Sequence, residues 1–338
     1  MSYDFTRIVA PLLCWYDAER RILPWREDPT PYHVWISEIM LQQTRVEAVI
    51  DYYNRFLKRF PDVTTLALAD MDEVLSYWQG LGYYRRCEML HRAAKEIVSS
   101  YGGEIPGDFK LLLALPGIGR YTAAAVMSIG FGQPYAAVDG NVLRVVMRLT
   151  DCDDCIDEDS TKKRVEKELT AVMPHDRTSA FTQALMDLGA TICLPNGEPK
   201  CSICPLMELC LGRFRSDMLP VRKTKKPRSQ EERTVLVLCC GDEIALRKRP
   251  EKGLLAKMWE FPNELGTFTV EEVKRRYHGD VTPLGKAKHI FSHIEWHMTG
   301  YRVEVKEKLC DPSLVWIKKE EMTDYAIPSA FGYFKKVL

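Results

Sequence analysis

Four cysteines fall within one short stretch, Cys193, Cys201, Cys204 and Cys210, spaced C-x7-C-x2-C-x5-C. Gly197 and Pro205 turn the chain between them, so four thiolates can converge on one inorganic centre. Zinc held by four thiolates suits the x2 gap. An iron–sulfur cubane fits the short x5 gap and the single compact loop better than two zinc knuckles would. Spacing alone leaves both open. A second pair, Cys152 and Cys155, lies in Asp-Cys-Asp-Asp-Cys-Ile-Asp. Neighbouring carboxylates raise thiol pKa values and no further pair is close, so this segment reads as a surface loop. The first residues, Met-Ser-Tyr-Asp-Phe-Thr-Arg, show no basic start followed by an apolar stretch, so no secretory signal is expected. The 11 cysteines are therefore expected to stay reduced in the cytosol.

A chain of 338 residues is long enough for two cores. From Phe5 to about Leu211 the texture is helical, with apolar residues at three- and four-residue spacing over 32–60 and 71–101. Breaks fall at Pro61, Gly102-Gly103, Pro106-Gly107 and Pro116-Gly117. Beyond residue 230 the pattern changes to short β-rich runs at 234–240, 244–247, 301–305 and 314–317. The sequence thus predicts two domains: an all-α domain over 1–212, a basic linker over 213–230 and an α+β domain over 231–338. No internal repeat is visible. The longest apolar runs, such as 142–147 with its interrupting Arg144, fall far short of a membrane span, so no membrane partner is expected.

Formal net charge is zero, yet it is unevenly distributed. Residues 1–212 carry 22 basic and 29 acidic side chains, and 231–338 carry 18 and 17. Between them Arg213, Arg215, Arg222, Lys223, Lys225, Lys226 and Arg228 face only Asp217. This basic strap is either a solvated linker or a contact for phosphates.

Leu115-Pro-Gly-Ile-Gly-Arg-Tyr-Thr-Ala opens a helix of small residues. Gly117 and Gly119 permit a tight turn whose amides, with the helix N-terminus, can hold a phosphate. Between two helices, Leu-Pro-Gly-Ile-Gly is the helix–hairpin–helix pattern of sequence-independent DNA binding. Asp139 precedes a helical run and suits an N-cap. Glu38 lies within an apolar helix, as an exposed residue or as a buried acid with a raised pKa.

Six segments carry a resemblance: Leu23-Pro-Trp-Arg26, Trp35-Ile-Ser-Glu-Ile-Met-Leu-Gln-Gln-Thr44, Gly80-Leu-Gly-Tyr-Tyr84, the hairpin at 115–123, Val138-Asp-Gly-Asn-Val-Leu-Arg-Val145 and Met186-Asp-Leu-Gly-Ala-Thr-Ile-Cys193. Together they resemble the helix–hairpin–helix, iron–sulfur DNA glycosylases, and within them the MutY-type adenine glycosylases. They span most of residues 20–210. The first cysteine gap departs from the pattern, with seven residues where the family usually has six.

The resemblance implies an all-α glycosylase domain with a 4Fe-4S cluster on Cys193, Cys201, Cys204 and Cys210. Related enzymes that cut the backbone carry a nucleophilic lysine after the hairpin. Tyr121 stands in that slot, so the implied reaction is hydrolysis of the base alone. By resemblance Glu38 protonates the adenine N7, and Asp139 stays ionised to stabilise the oxocarbenium-like sugar. Tyr121 and Asn141 orient these groups and the water. Gln43, with Tyr83 or Tyr84, fills or wedges the duplex beside the flipped base. Arg26, Thr44, Gly117, Gly119 and Arg120 complete the implied DNA contacts.

The C-terminal part resembles the MutT-like, Nudix-fold domain of such enzymes. Residues 253–279 hold no Arg-Glu-x-x-Glu-Glu run for magnesium, so pyrophosphatase activity is not expected. Phe291-Ser292-His293 matches the loop that reads 8-oxoguanine. The implied function is monofunctional hydrolysis, in base excision repair, of adenine opposite 8-oxoguanine or guanine in double-stranded DNA. The expected enzyme is a monomer, cytoplasmic and nucleoid-associated, in a prokaryote. Tyr121 and the C-terminal domain argue against an endonuclease III-like lyase. Glu38 and Asp139 together argue against a non-catalytic damage-binding module.

Overall fold

The computed structural model describes residues 3–224 and 227–337. Contacts divide the chain into two compact units, one of Met1–Leu68 and Met89–Thr224, the other of Ala69–Glu88 and Lys225–Leu338. Helices α1 (Thr6–Glu19), α2 (Pro24–Glu27), α3 (Pro31–Leu41), α4 (Val46–Arg59) and α5 (Val63–Leu68) open the first unit. Helix α6 (Met71–Trp78) and the first turn of α7 (Arg85–Tyr101) group with the second unit. There Gln79 donates to the Ile327 carbonyl at 3.0 Å and Lys248 lies 3.4 Å from Asp72. Such long-range grouping leaves no trace in local periodicity. The first unit continues with α8 (Phe109–Ala114), α9 (Arg120–Ala125), α10 (Gly140–Thr150), α11 (Asp159–Val172) and α12 (Thr178–Asp187). Two single π-helical turns, Val126–Gly130 and Leu188–Ile192, extend α9 and α12. Such turns are rare and frequent at functional sites.

The reason for α3 is legible residue by residue. Thr30 caps it, accepting from the His33 amide at 3.2 Å, and Pro31 occupies the first turn, where a missing N–H costs nothing. Its apolar residues point in all directions, and Tyr32 through Met40 are buried apart from His33. A helix apolar all round has no solvated face. Glu38 must therefore be buried with the rest.

The second unit is built on one seven-stranded sheet: β1 (Ser229–Cys240), β2 (Glu243–Lys248), β3 (Trp259–Glu260), β4 (Asn263–Leu265), β5 (Asp280–Ile290), β6 (Ile294–Glu304) and β7 (Leu314–Lys318). Its main path runs β3-β2-β1-β6-β5, with β1 and β6 parallel and the other pairs antiparallel. Alternation along β1 sends Val235, Val237 and Cys239 to a core with Phe331 and Phe334. Leu236 and Leu238 face the other way, onto Val273 of α13 (Val270–Tyr277). Among the described residues no helix is long and apolar enough to cross a membrane.

Candidate active site

Three elements of the first unit deliver the central side chains. Helix α3 supplies Glu38, α9 supplies Tyr121, and the start of α10 supplies Asp139 and Asn141. Ala123, Ala124 and Ala125, all buried, keep α9 slim where it meets α3. At the hairpin Gly117 has φ +75°, a left-handed value that side chains rarely adopt, and an added Cβ would sit 2.6 Å from Met89 Cβ. The chain then enters α9 at Gly119.

Glu38, Tyr121, Asp139, Asn141, Arg26, Gln43, Thr44, Gly117, Gly119 and Arg120 all line one cavity of about 830 Å³. The Tyr121 hydroxyl donates a short hydrogen bond to Glu38 Oε2. Glu38 is 6% exposed. Burial pushes its pKa up to about 7 and the Asp139 charge adds to this, against the Tyr121 bond and Arg26. Asp139 caps α10, accepting from the Val142 amide at 2.7 Å and from Asn141 Nδ2 at 2.8 Å. Burial raises its pKa from the usual carboxylate value, while those donors favour its charged form. The Asp139 charge opposes ionisation of Glu38, while the donors around Asp139 favour its own charged form.

Side chains that the sequence reading passed over hold this arrangement. Arg144 interrupts an apolar run, which is the signal that could have found it. Its guanidinium donates to Asn141 Oδ1 at 2.9 Å, to the Gly189 carbonyl at 2.7 Å and to the Cys193 carbonyl at 2.8 Å. Gly189 is required by space, since a Cβ there would lie 2.6 Å from Asn141 Cβ and 3.1 Å from its backbone. Asp187, with 1% of its side chain exposed, receives a bidentate pair from Arg26 at 2.7 and 2.9 Å and a third bond from Arg21 at 2.6 Å. The Arg26 guanidinium, read from the sequence as a DNA contact, is thus engaged with Asp187.

Residues 36–175 match the HhH-GPD superfamily of base excision DNA repair proteins, and residues 234–336 match the NUDIX domain. Over 97% of its length the chain is 33% identical to the adenine DNA glycosylase of Mus musculus, covering 77% of that protein. The chain belongs to the adenine DNA glycosylases. The fold of this glycosylase's helical unit agrees with solved structures. A thermostable thymine-DNA glycosylase shares 30% identity with a TM-score of 0.55, covering 62% of this chain and 96% of that one. An endonuclease III trapped as a covalent intermediate with DNA shares 26% identity with a TM-score of 0.54, covering 63% and 99%.

The remaining sequence candidates in this glycosylase fall in varied settings. Gln43 is exposed just past the end of α3 with φ 61°, and Tyr83 is 45% exposed with φ 49°. Left-handed backbone at non-glycine residues is uncommon and marks places held by their surroundings. Tyr84 is buried and its hydroxyl accepts from the Gly80 amide at 3.2 Å, so of the two tyrosines Tyr83 is the one presented to solvent. Arg120 reaches Glu166 at 2.6 Å but stays half exposed. Ser292 and His293 are exposed at the turn between β5 and β6, where the His293 carbonyl accepts from the Ser229 amide at 3.1 Å. Phe291 anchors that turn against Trp296, with ring centroids 4.9 Å apart.

Cys193 caps the second π-helical turn, Cys201 opens the 3-10 turn Cys201–Ile203, and Cys204 and Cys210 cap that turn and the next, Met207–Leu209. None is in a disulfide. Burial, with charge from the other three thiols, pushes Cys204 up to about 11. Cys210 is likewise pushed up to about 11, mainly by burial, with Cys193 and Cys201 adding to it. Arg148, buried on α10, donates to Cys193 Sγ at 3.3 Å and to the Leu194 carbonyl at 2.9 Å. Among the described residues no three His, Cys, Asp or Glu side chains are placed to share a single metal ion.

Proposed function

We propose that this enzyme hydrolyses the N-glycosidic bond of adenine mispaired with 8-oxoguanine or guanine in double-stranded DNA. The observation that carries the reading is the pairing of a buried acid, Glu38 with its pKa near 7, and a capped carboxylate, Asp139, in one cavity. Adenine leaves poorly as an anion, so an acid that still holds a proton at neutral pH is what the step needs. The Glu38 carboxyl delivers that proton to the base, and Tyr121 fixes which way the carboxyl points. Asp139 places negative charge beside the sugar as positive charge grows there, and Asn141 holds the carboxylate in register. Tyr121 cannot form a Schiff base, so the strand is left with an intact abasic site. Exposed Ser292 and His293 are suited to read the purine opposite.

The cysteine loop suits a 4Fe-4S cluster held by Cys193, Cys201, Cys204 and Cys210. The four lie within one compact loop, and the thiol charges around Cys204 and Cys210 oppose their ionisation, which a bound cation would relieve. The short x5 gap and the single compact loop favour a cubane over zinc, and such a cluster is typical of the endonuclease III-like glycosylases. The cluster would supply cross-linking of the loop. Anaerobically purified protein should contain iron and show broad visible absorption. Stoichiometric zinc without iron would overturn this assignment. The activity itself is tested on a labelled duplex with adenine opposite 8-oxoguanine: scission should appear only after alkali. Scission before alkali, or action on an oxidised pyrimidine instead, would contradict the reading.

A further inference from the structure

The basic strap is folded onto an acidic loop of its own unit. Arg215 bridges Asp151 at 2.8 Å and Asp153 at 2.7 Å. The Ile156 amide donates to the Val221 carbonyl at 3.0 Å. The Lys223 amide donates to Asp157 Oδ2 at 2.9 Å, and its ammonium lies 2.8 Å from Glu158. From α10, Arg148 grips the Ser216 and Leu219 carbonyls at 2.7 and 2.9 Å. Arg215 and Lys223 are therefore in close ion pairs, while Lys225 and Lys226 lie outside the described residues.

Arg222 is different. Pinned on both sides by these backbone bonds, it lines the same cavity as Glu38 and Asp139. Its guanidinium stands 3.7 Å from where a side chain on Gly140 would begin, one residue from Asp139. Its partner Asp157 is 3.8 Å away, at the far limit of an ion pair and half exposed, so this pair is weaker than its neighbours and readily exchanged. Lys162, another lining residue, donates to the Asp157 carbonyl at 3.3 Å and pairs with Asp159 at 3.3 Å on the same rim. A cavity that holds the Asp139 carboxylate repels a phosphodiester unless cations sit beside it.

We propose that Arg222 contacts a DNA backbone phosphate flanking the extruded nucleotide, and that Asp157 occupies it until DNA arrives. This rests on the proposed function. The linker thereby supplies part of the substrate site. Lys in place of Arg keeps the charge, though not the planar fork that suits a phosphate.

The test is equilibrium binding of the full-length holoenzyme to a duplex carrying a tetrahydrofuran abasic analogue opposite guanine, across a salt series. Arg222→Ala should reduce the slope of log affinity against log salt by about 0.9, the loss of one phosphate contact. Arg222→Lys should restore most of that slope. Asp157→Asn should tighten binding several-fold in the wild-type background and not in Arg222→Ala. Thermal melting should be unchanged in each variant, because Arg222 is half exposed. An unchanged slope in Arg222→Ala overturns the proposal, as does tightening by Asp157→Asn that persists without Arg222. Wild-type protein that fails to release adenine opposite 8-oxoguanine would instead overturn the functional reading.

Discussion

Glu38→Gln is expected to bind the mispaired duplex and to release adenine at least about 10⁴-fold more slowly, the upper end for one acid–base group. Glutamine preserves the shape and can still accept from Tyr121. It has no proton to deliver, so adenine must leave unactivated, a cost of about 5 kcal/mol in the barrier. Asp139→Asn provides the contrast. Asparagine caps a helix nearly as well as aspartate, so α10 and overall stability should survive. The charge facing the cationic sugar is lost, and turnover should fall by about 10²–10³-fold. Single-turnover excision and thermal melting on the same preparations check both. A variant whose rate per folded molecule stays normal would reduce that residue to a structural role.

The largest effect on stability is expected at Asp187. Its carboxylate is almost fully buried and engaged by Arg26 and Arg21. Burial pushes its pKa up, yet the bonds and charges of Arg26 and Arg21 outweigh this and hold it below the usual value of 3.8. Asp187→Ala leaves a partly buried guanidinium unpaired. Breaking such a pair costs about 3 kcal/mol, at the low end because Arg21 keeps access to water. A depressed folded pKa means that the contribution is complete above the unfolded pKa and is lost as pH falls through the folded one. The stability gap between wild type and Asp187→Ala, measured on the helical unit's denaturation transition, should be full at pH 7 and shrink below about pH 3.8. A gap of the same size at pH 7 and at pH 3 would show that packing, and not the ion pair, sets it.

What the sequence revealed depends on the range of the interaction. Glu38 stands out in a mostly apolar helix, which left it either exposed or a buried acid, and Asp139 reads as a cap because a helical run follows it. The cysteine spacing and the glycine turn are local chemistry and were equally plain. Asp187 and Arg26 lie 161 residues apart, and no periodicity announces their pairing. Arg144 was visible as a charge within an apolar run, but its partners Asn141, Gly189 and Cys193 appear only once α10 meets the second π-helical turn. The strap shows the same limit in reverse. Its seven cations read as either a solvated linker or a phosphate contact, and folding onto residues 151–158 puts Arg215 and Lys223 in close ion pairs while leaving Arg222 at the cavity.

The central claim is that a protonated Glu38 drives loss of the base. It is tested most directly by the pH dependence of single-turnover adenine release, at saturating enzyme, from a duplex with adenine opposite 8-oxoguanine. An acid whose pKa is about 7 is active below that value and spent above it. The rate should fall tenfold per pH unit on the alkaline side, with the bend at or above pH 7, since DNA phosphates only favour the protonated form further. Glu38→Gln should abolish that limb along with most of the rate. A wild-type rate that stays flat from pH 5 to 9, or an alkaline limb that persists in Glu38→Gln, would contradict the account.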